Sequence, residues 1–193
     1  ASCDVAAAMM EPPGGTALVE ESIAEALDFR RAMRKVDAEY GKDWWFKVWG
    51  PDNLVEDGVG RADDWVIKAE KKGRSTKNSA PNWHGFGDMA DDFNMLDPIK
   101  ATIVTPGLDL NGRFDQQGIP ASIVTKFLSE HGVIVEKCGL YSFFIMFTIG
   151  ITKGRWNTLV TELQQFKDHF EKNQPLWKVL PEFVAKYPRY ERI

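Results

Sequence analysis

A chain of 193 residues with net charge −4 has room for one ordinary domain, or a domain with part of a neighbour. It carries no overall basic surface of the kind nucleic acid demands. A hydrophobic share of 44% and an aromatic share of 12% suffice for a packed core, which excludes a disordered protein.

Ala1-Ser-Cys-Asp-Val-Ala-Ala-Ala-Met-Met10 opens the chain as an apolar helical run with nothing ahead to cap it. At the other end, Tyr187-Pro-Arg-Tyr-Glu-Arg-Ile193 stops without a Gly or a polar tail. The expectation is a segment of a larger protein. Pro12-Pro13-Gly14-Gly15 breaks the first run. From about residue 17 to 40, Val19, Ile23, Ala26, Phe29, Met33, Val36 and Tyr40 recur at steps of three and four, the mark of one long amphipathic helix. Glu20, Glu21 and Glu25 come early and Arg30, Arg31, Arg34 and Lys35 late, an order that complements the helix dipole, and Gly41 suits the C′ position.

Trp44-Trp-Phe-Lys-Val-Trp49 reads as a strand closed by Gly50-Pro51-Asp52. Residues 51–95 show little periodicity and read as a long excursion, with one short strand at Trp65 to Ile67 and a solvated basic loop from Lys68 to Lys77. A strand through Ile99-Lys-Ala-Thr-Ile-Val-Thr105 ends at Pro106-Gly107, and Asp109-Leu-Asn-Gly112 makes a turn. A helix starts near Pro120, carries Ile123, Val124, Phe127 and Leu128, and ends at Gly132. Strands are expected at Val133 to Glu136 and Tyr141 to Thr148. A second amphipathic helix spans about residues 153–172 with Trp156, Leu159, Val160, Leu163, Phe166 and Phe170 on one stripe, and one short helix follows Pro175 over about 176–186. Few strands with helices on one side make an α+β layer arrangement.

Three histidines, His84, His131 and His169, stand at no metal-ligand spacing, and neither cysteine lies near one. His131, next to Gly132, fits a helix terminus better than a ligand set. Asp109-x-Asn111 begins like a calcium loop, but its twelfth position is Pro120 where a bidentate Glu is required. No phosphate-cradling loop or nucleophile elbow is present. Seven tryptophans fit core and interface packing better than a stacking platform. Cys3 and Cys138 cannot build a disulfide framework, so the expected compartment is the reducing cytoplasm. The longest apolar stretch, Leu140 to Ile149, is interrupted by Ser142 and Thr148 and is far short of the roughly 20 residues of a spanning helix. No basic stretch precedes the N-terminal apolar residues, so they are not a secretory signal. From the residues alone, the catalytic, cofactor-binding and metal assignments are all none.

Longer words are more specific. Trp83-His-Gly-Phe86, Met95-Leu-Asp-Pro-Ile-Lys100, Thr105-Pro-Gly107, Gly118-Ile-Pro-Ala-Ser-Ile-Val124, His131-Gly-Val-Ile-Val-Glu-Lys137 and Phe147-Thr-Ile-Gly-Ile-Thr-Lys-Gly154 occur in order along essentially the whole chain. Together they resemble the bacterial pyridoxal-phosphate-dependent ornithine/lysine/arginine decarboxylases of the aspartate-aminotransferase fold. Met9-Met10, Trp45-Phe46 and Thr152-Lys-Gly-Arg-Trp156 look closest to the acid-inducible, biodegradative arginine enzymes, whereas Gly118 to Ile149 looks equally like the lysine enzymes.

The resemblance implies that residues 1–40 end the large cofactor-binding domain and its connecting helix. It implies that 41–193 are the small C-terminal domain of that fold type I architecture, with an antiparallel-rich sheet. The full enzyme would use pyridoxal 5′-phosphate held by a lysine upstream of Ala1, so no cofactor is expected on this segment alone. Its implied role is to complete the cleft and the oligomer interface of a lysine or arginine decarboxylase. Partners would be the rest of the polypeptide, sister subunits and a small basic amino acid, without nucleic acid or membrane. The alternative is a stand-alone, non-catalytic binding or regulatory module built on the same fold.

Overall fold

The computed structural model describes residues 1–50 and 96–190. The expected strand at Trp65 to Ile67, the basic loop from Lys68 to Lys77, His84 and the Trp83-His-Gly-Phe86 word lie outside the described residues.

Helix α1 (Ser2–Met9) buries none of its residues. Helix α2 (Gly14–Tyr40) begins three residues before the expected start, because Gly14 and Gly15 form its first turn instead of extending the break. Gly15 sits there for lack of room, since a Cβ would strike the Met10 backbone. Ala26, Phe29 and Met33 are buried as the stripe requires, while Val19 and Tyr40 at its ends are exposed. The dipole reading of the charges is overturned. The first turn of α2 carries no acidic residue and its last turn no basic one, and dipole effects fade within one turn of an end. Gly41, at φ 55°, ends the helix, as its missing Cβ allows.

Four strands follow: β1 (Lys47–Val48), β2 (Lys100–Val104), β3 (Lys137–Cys138) and β4 (Ser142–Met146). They form one antiparallel sheet in the order β1-β2-β4-β3. In the β2–β4 register Ala101 opposes Ile145 and Ile103 opposes Phe143, which sets these four on one face. That face joins the core, whereas Thr102, Phe144 and Met146 on the other are half-buried.

Two expected strands are corrected. The 44–49 strand shrinks to two residues because Trp44 and Phe46 are buried against each other, ring centroids 5.6 Å apart, ahead of the ladder. The strand expected at Val133 to Glu136 is displaced to β3. Those residues keep the alternation, with Val133 and Val135 against the core and Ile134 exposed, but their backbone runs beside the sheet without joining its ladder until the Glu136 N–H donates to Phe144 O (2.9 Å).

Helix α3 (Ala121–Glu130) follows Pro120 and buries Val124, Phe127 and Leu128, although Ile123 is exposed. Helix α4 (Trp156–Glu171) buries Leu159, Leu163 and Phe166. The expected last helix is two, α5 (Leu176–Val179) and α6 (Pro181–Lys186). Pro181 explains the break: it has no N–H to donate, and it drives Leu180 out of the helical region to φ −132°, ψ 66°.

One cluster gathers Phe29 and Met33 of α2, Ile103 and Phe143 of the sheet, Phe127 of α3, Phe166 of α4, and Val179 of α5. The fold is therefore α+β, a four-stranded antiparallel sheet backed by helices around one main core, with Leu27, Ile23 and Leu96 in a small second cluster. Leu159, Leu163, Phe166, Leu176, Val179 and Leu180 all enter it from beyond residue 155. At about 1.5–3 kcal/mol for each fully buried side chain, losing them would remove on the order of 10 kcal/mol, comparable with the whole stability of a domain. We expect a chain ending at residue 155 to show no cooperative thermal transition by circular dichroism. A sharp transition in that truncation would contradict the shared core.

Candidate functional site

Two residues of α2, Glu25 and Arg30, are buried charges, and each reaches a different part of the fold. The Arg30 guanidinium donates to Trp49 O (3.1 Å) after β1 and to Lys100 O (2.8 Å) at the start of β2. Burial pushes its pKa down to about 10, partly opposed by the charge of Asp97, so it remains a cation at neutral pH. The Glu25 carboxylate accepts from the Gly154 N–H (2.7 Å) and the Trp156 indole N–H (3.1 Å). It thereby fixes the loop that delivers α4. Thus α2 grips the sheet with one charge and the α4 entrance with the other.

A second carboxylate works across helices. Glu130, at the end of α3, accepts from the Glu182 (3.2 Å) and Phe183 (3.1 Å) amides at the start of α6, and Lys126 Nζ lies 3.2 Å away. Backbone donors left open at a helix start are satisfied here from another element.

The family words converge at the far end of β2 and β4. Thr105 Oγ1 donates to Ile119 O (2.7 Å), the Ile119 N–H donates to Pro106 O (2.7 Å), and the Ala121 N–H donates to Leu140 O (2.8 Å). Gly107 and Gly118 cross at this knot. A Cβ on Gly118 would lie 2.5 Å from Gly107 Cα and 2.5 Å from Pro106 O, and the Tyr141 ring closes the same space. Phe114 (65% exposed), Leu140 (64% exposed) and half-buried Tyr141 form an apolar outer surface over it. In the turn beyond, Asp109 accepts from the Arg113 (2.8 Å) and Asn111 (2.9 Å) amides, and these bonds, Arg113 first, hold its carboxyl below the usual range. That carboxylate serves its own turn.

His131 caps α3: its Nδ1–H donates to Phe127 O at 2.8 Å, the carbonyl being able only to accept. His169, in the last turn of α4, also meets the Phe127 ring, at 6.1 Å between centroids. Among the described residues no group of three or more His, Cys, Asp or Glu is arranged to hold a metal ion. Cys3 and Cys138 are free and exposed. No helix among the described residues is long and apolar enough to cross a membrane. The sequence reading missed Glu25, Arg30 and Glu130. A faint signal existed for the first two, charges on the apolar side of a helix whose own ends did not need them. The arrangement positions backbone and shapes surfaces, and among the described residues it presents no assembled nucleophile, base and oxyanion donor.

The family model for the Orn/Lys/Arg decarboxylase major domain matches residues 1–155. The chain is 51% identical over 183 residues to lysine decarboxylase LdcA of Pseudomonas aeruginosa, covering 94% of this chain and 23% of that protein. It is 37% identical over 195 residues to the biodegradative arginine decarboxylase of Escherichia coli, covering 97% and 26%. The solved structure of the E. coli constitutive lysine decarboxylase superposes with a TM-score of 0.78 at 35% identity, over 98% of this chain and 25% of that one. The chain therefore belongs to the Orn/Lys/Arg decarboxylase family, and it spans about a quarter of the length of these relatives.

Two substitutions test the geometry. Gly118→Ala should cost more than about 3 kcal/mol or abolish folding, because the clash is with backbone. Gly112→Ala, in open space at φ 79°, should cost only about 1–2 kcal/mol of left-handed strain. Urea unfolding midpoints read the difference, and equal losses would disprove the crossing. Arg30→Met should lower stability by about 2–4 kcal/mol by stranding two carbonyls, visible in the same measurement.

Proposed function

We propose that this chain is the part of a pyridoxal-phosphate-dependent basic amino-acid decarboxylase that covers the catalytic cleft and borders other subunits. The enzyme releases CO2 from lysine or arginine, takes up a proton and leaves the amine, in a cytoplasmic setting with which two free thiols accord. The carrying observation is 51% identity over 94% of the chain to a lysine decarboxylase. The lower 37% identity to an arginine enzyme makes lysine the first substrate to test.

In this reading residues 1–40 close the large domain and supply a connecting helix, and 41–193 are the small domain. Exposed α1 ahead of α2, and the buried residues of α2 between Ser22 and Met33, support a connector whose middle is shared with the small-domain core.

The cofactor, when bound, supplies the electron sink for losing the carboxylate. The state of the buried lysine supports placing the site that holds it elsewhere in the enzyme. Lys167, the one buried lysine among the described residues, is committed to Glu171 (2.6 Å) and lies over the Trp45 ring at 5.3 Å. The contribution of this segment is thus to position and enclose. Its buried charges fix α2, the sheet and α4 as one rigid wall, and its exposed apolar surfaces at α1 and the Gly107–Gly118 crossing are available for docking.

The full-length polypeptide, supplied with pyridoxal phosphate, should release CO2 from lysine or arginine, and from ornithine more slowly. The 193-residue chain alone should release none and should keep no cofactor colour after dialysis. Failure of the full-length protein on all three amino acids would overturn the enzyme reading, and colour retained by the isolated chain would overturn the assignment of the cofactor site elsewhere.

A further inference from the structure

Both ends of one exposed loop are fixed to a single stretch of α2. After β4 the Phe147 N–H donates to Ile99 O (2.8 Å) and the chain enters residues 148–154. Phe147 packs on Phe29 at 5.5 Å between ring centroids. At the far end the Gly154 N–H (2.7 Å) and the Trp156 indole N–H (3.1 Å) donate to the same atom, Glu25 Oε2. Between these anchors Ile151 packs against the core, while Thr148, Ile149, Gly150, Thr152 and Lys153 are exposed.

This stretch is also where α2 emerges from the domain. Ahead of Glu25, Ser22 is buried, and before Ser22 only Gly15 is, against the Met10 backbone. Helix α1, earlier still, buries none of its residues. The outlying part of α2 thus springs from beside loop 148–154, at the Lys100 end of β2, where Met146 opposes Lys100. The apolar surface over Gly107 and Gly118 lies past the other end of β2, beyond Val104.

We propose that loop 148–154 is the surface onto which the large domain closes, and that Glu25 is the positioning residue that sets it. The proposal rests on the decarboxylase reading given above, in which α2 connects this domain to the large one. A connector limits where its two domains can meet, and this loop is the part of the domain beside its exit. A loop that faced only solvent would need no buried carboxylate to hold it. Hydrogen bonds to an ionised acceptor are roughly twice as strong as neutral ones and directional, so they fix a place as well as a fold. Such fixing matters in a cleft wall, where a displacement of about 1 Å can cost on the order of a hundredfold in rate.

In the full-length enzyme, Glu25→Ala should raise KM for the amino-acid substrate about tenfold while circular dichroism shows an unchanged folded fraction. Glu25→Gln should stay within about threefold of the native KM, because one amide oxygen can accept both N–H groups as Oε2 does. An unchanged KM in Glu25→Ala, or equal impairment in both variants, would overturn the positioning role. Should Glu25→Ala not fold, Trp156→Phe removes one of the two bonds and should raise KM about threefold, and no rise would count against Glu25 in the same way. The contact itself has a test that needs no catalysis, so it is decided separately from the release of CO2. In Lys153→Cys, read at that site by peptide mass, a maleimide should react at least about tenfold more slowly in the folded full-length protein than in urea. Any smaller slowing means that the loop faces solvent, and the proposal fails.

Discussion

The fold turns on the placement of two opposite charges inside one helix. A guanidinium and a carboxylate taken out of water are tolerated only where fixed dipoles replace the lost solvent. Arg30 finds two strand carbonyls and Glu25 finds two N–H donors at the α4 entrance. Because each bond is directional and each partner belongs to a different element, α2 cannot rotate or slide without stranding a charge. Apolar packing around Phe29 and Met33 would permit several nearly equivalent positions. The charges select among them.

Aromatic rings then fill what the charges outline. Phe29 meets Phe147 at 5.5 Å and Trp156 at 6.1 Å, so the helix stapled through Glu25 also packs on the residue whose indole N–H it receives. Phe166 touches both Phe46 and Phe127, which connects the approach to β1 with α3 through α4. These tilted and edge-on contacts add about 0.5–1.5 kcal/mol each beyond area burial. They also explain why the core runs past residue 155, where the family match ends.

Much of the layout was legible in the residues. The three- and four-residue spacing located α2, α3 and α4, Pro120 located the start of α3, and the β-branched run located β2, since each signal arises from local chain geometry. What could not be read depends on distant partners. Trp44 and Phe46 have strand propensity, yet burial claimed them. The alternation at Val133 and Val135 is that of an extended chain, and alternation does not say whether a ladder partner is in reach. The charge order in α2 looked like a dipole pattern because its true partners, Lys100 and Gly154, lie 70 and 129 residues away. Family membership was legible from long words such as Gly118-Ile-Pro-Ala-Ser-Ile-Val124, while individual functional residues were not, because a catalytic role needs partners that no single local word names.

The bare helix at the start of the chain has a further meaning. Eight residues without a buried side chain fall below the length at which helix survives in water by itself, about 12–15 residues even in favourable sequences. Its coil-to-helix balance must therefore be tipped by whatever leans against it. Cys3 lies on it, exposed and unpaired, so a dye or spin label there would read the order of this stretch directly.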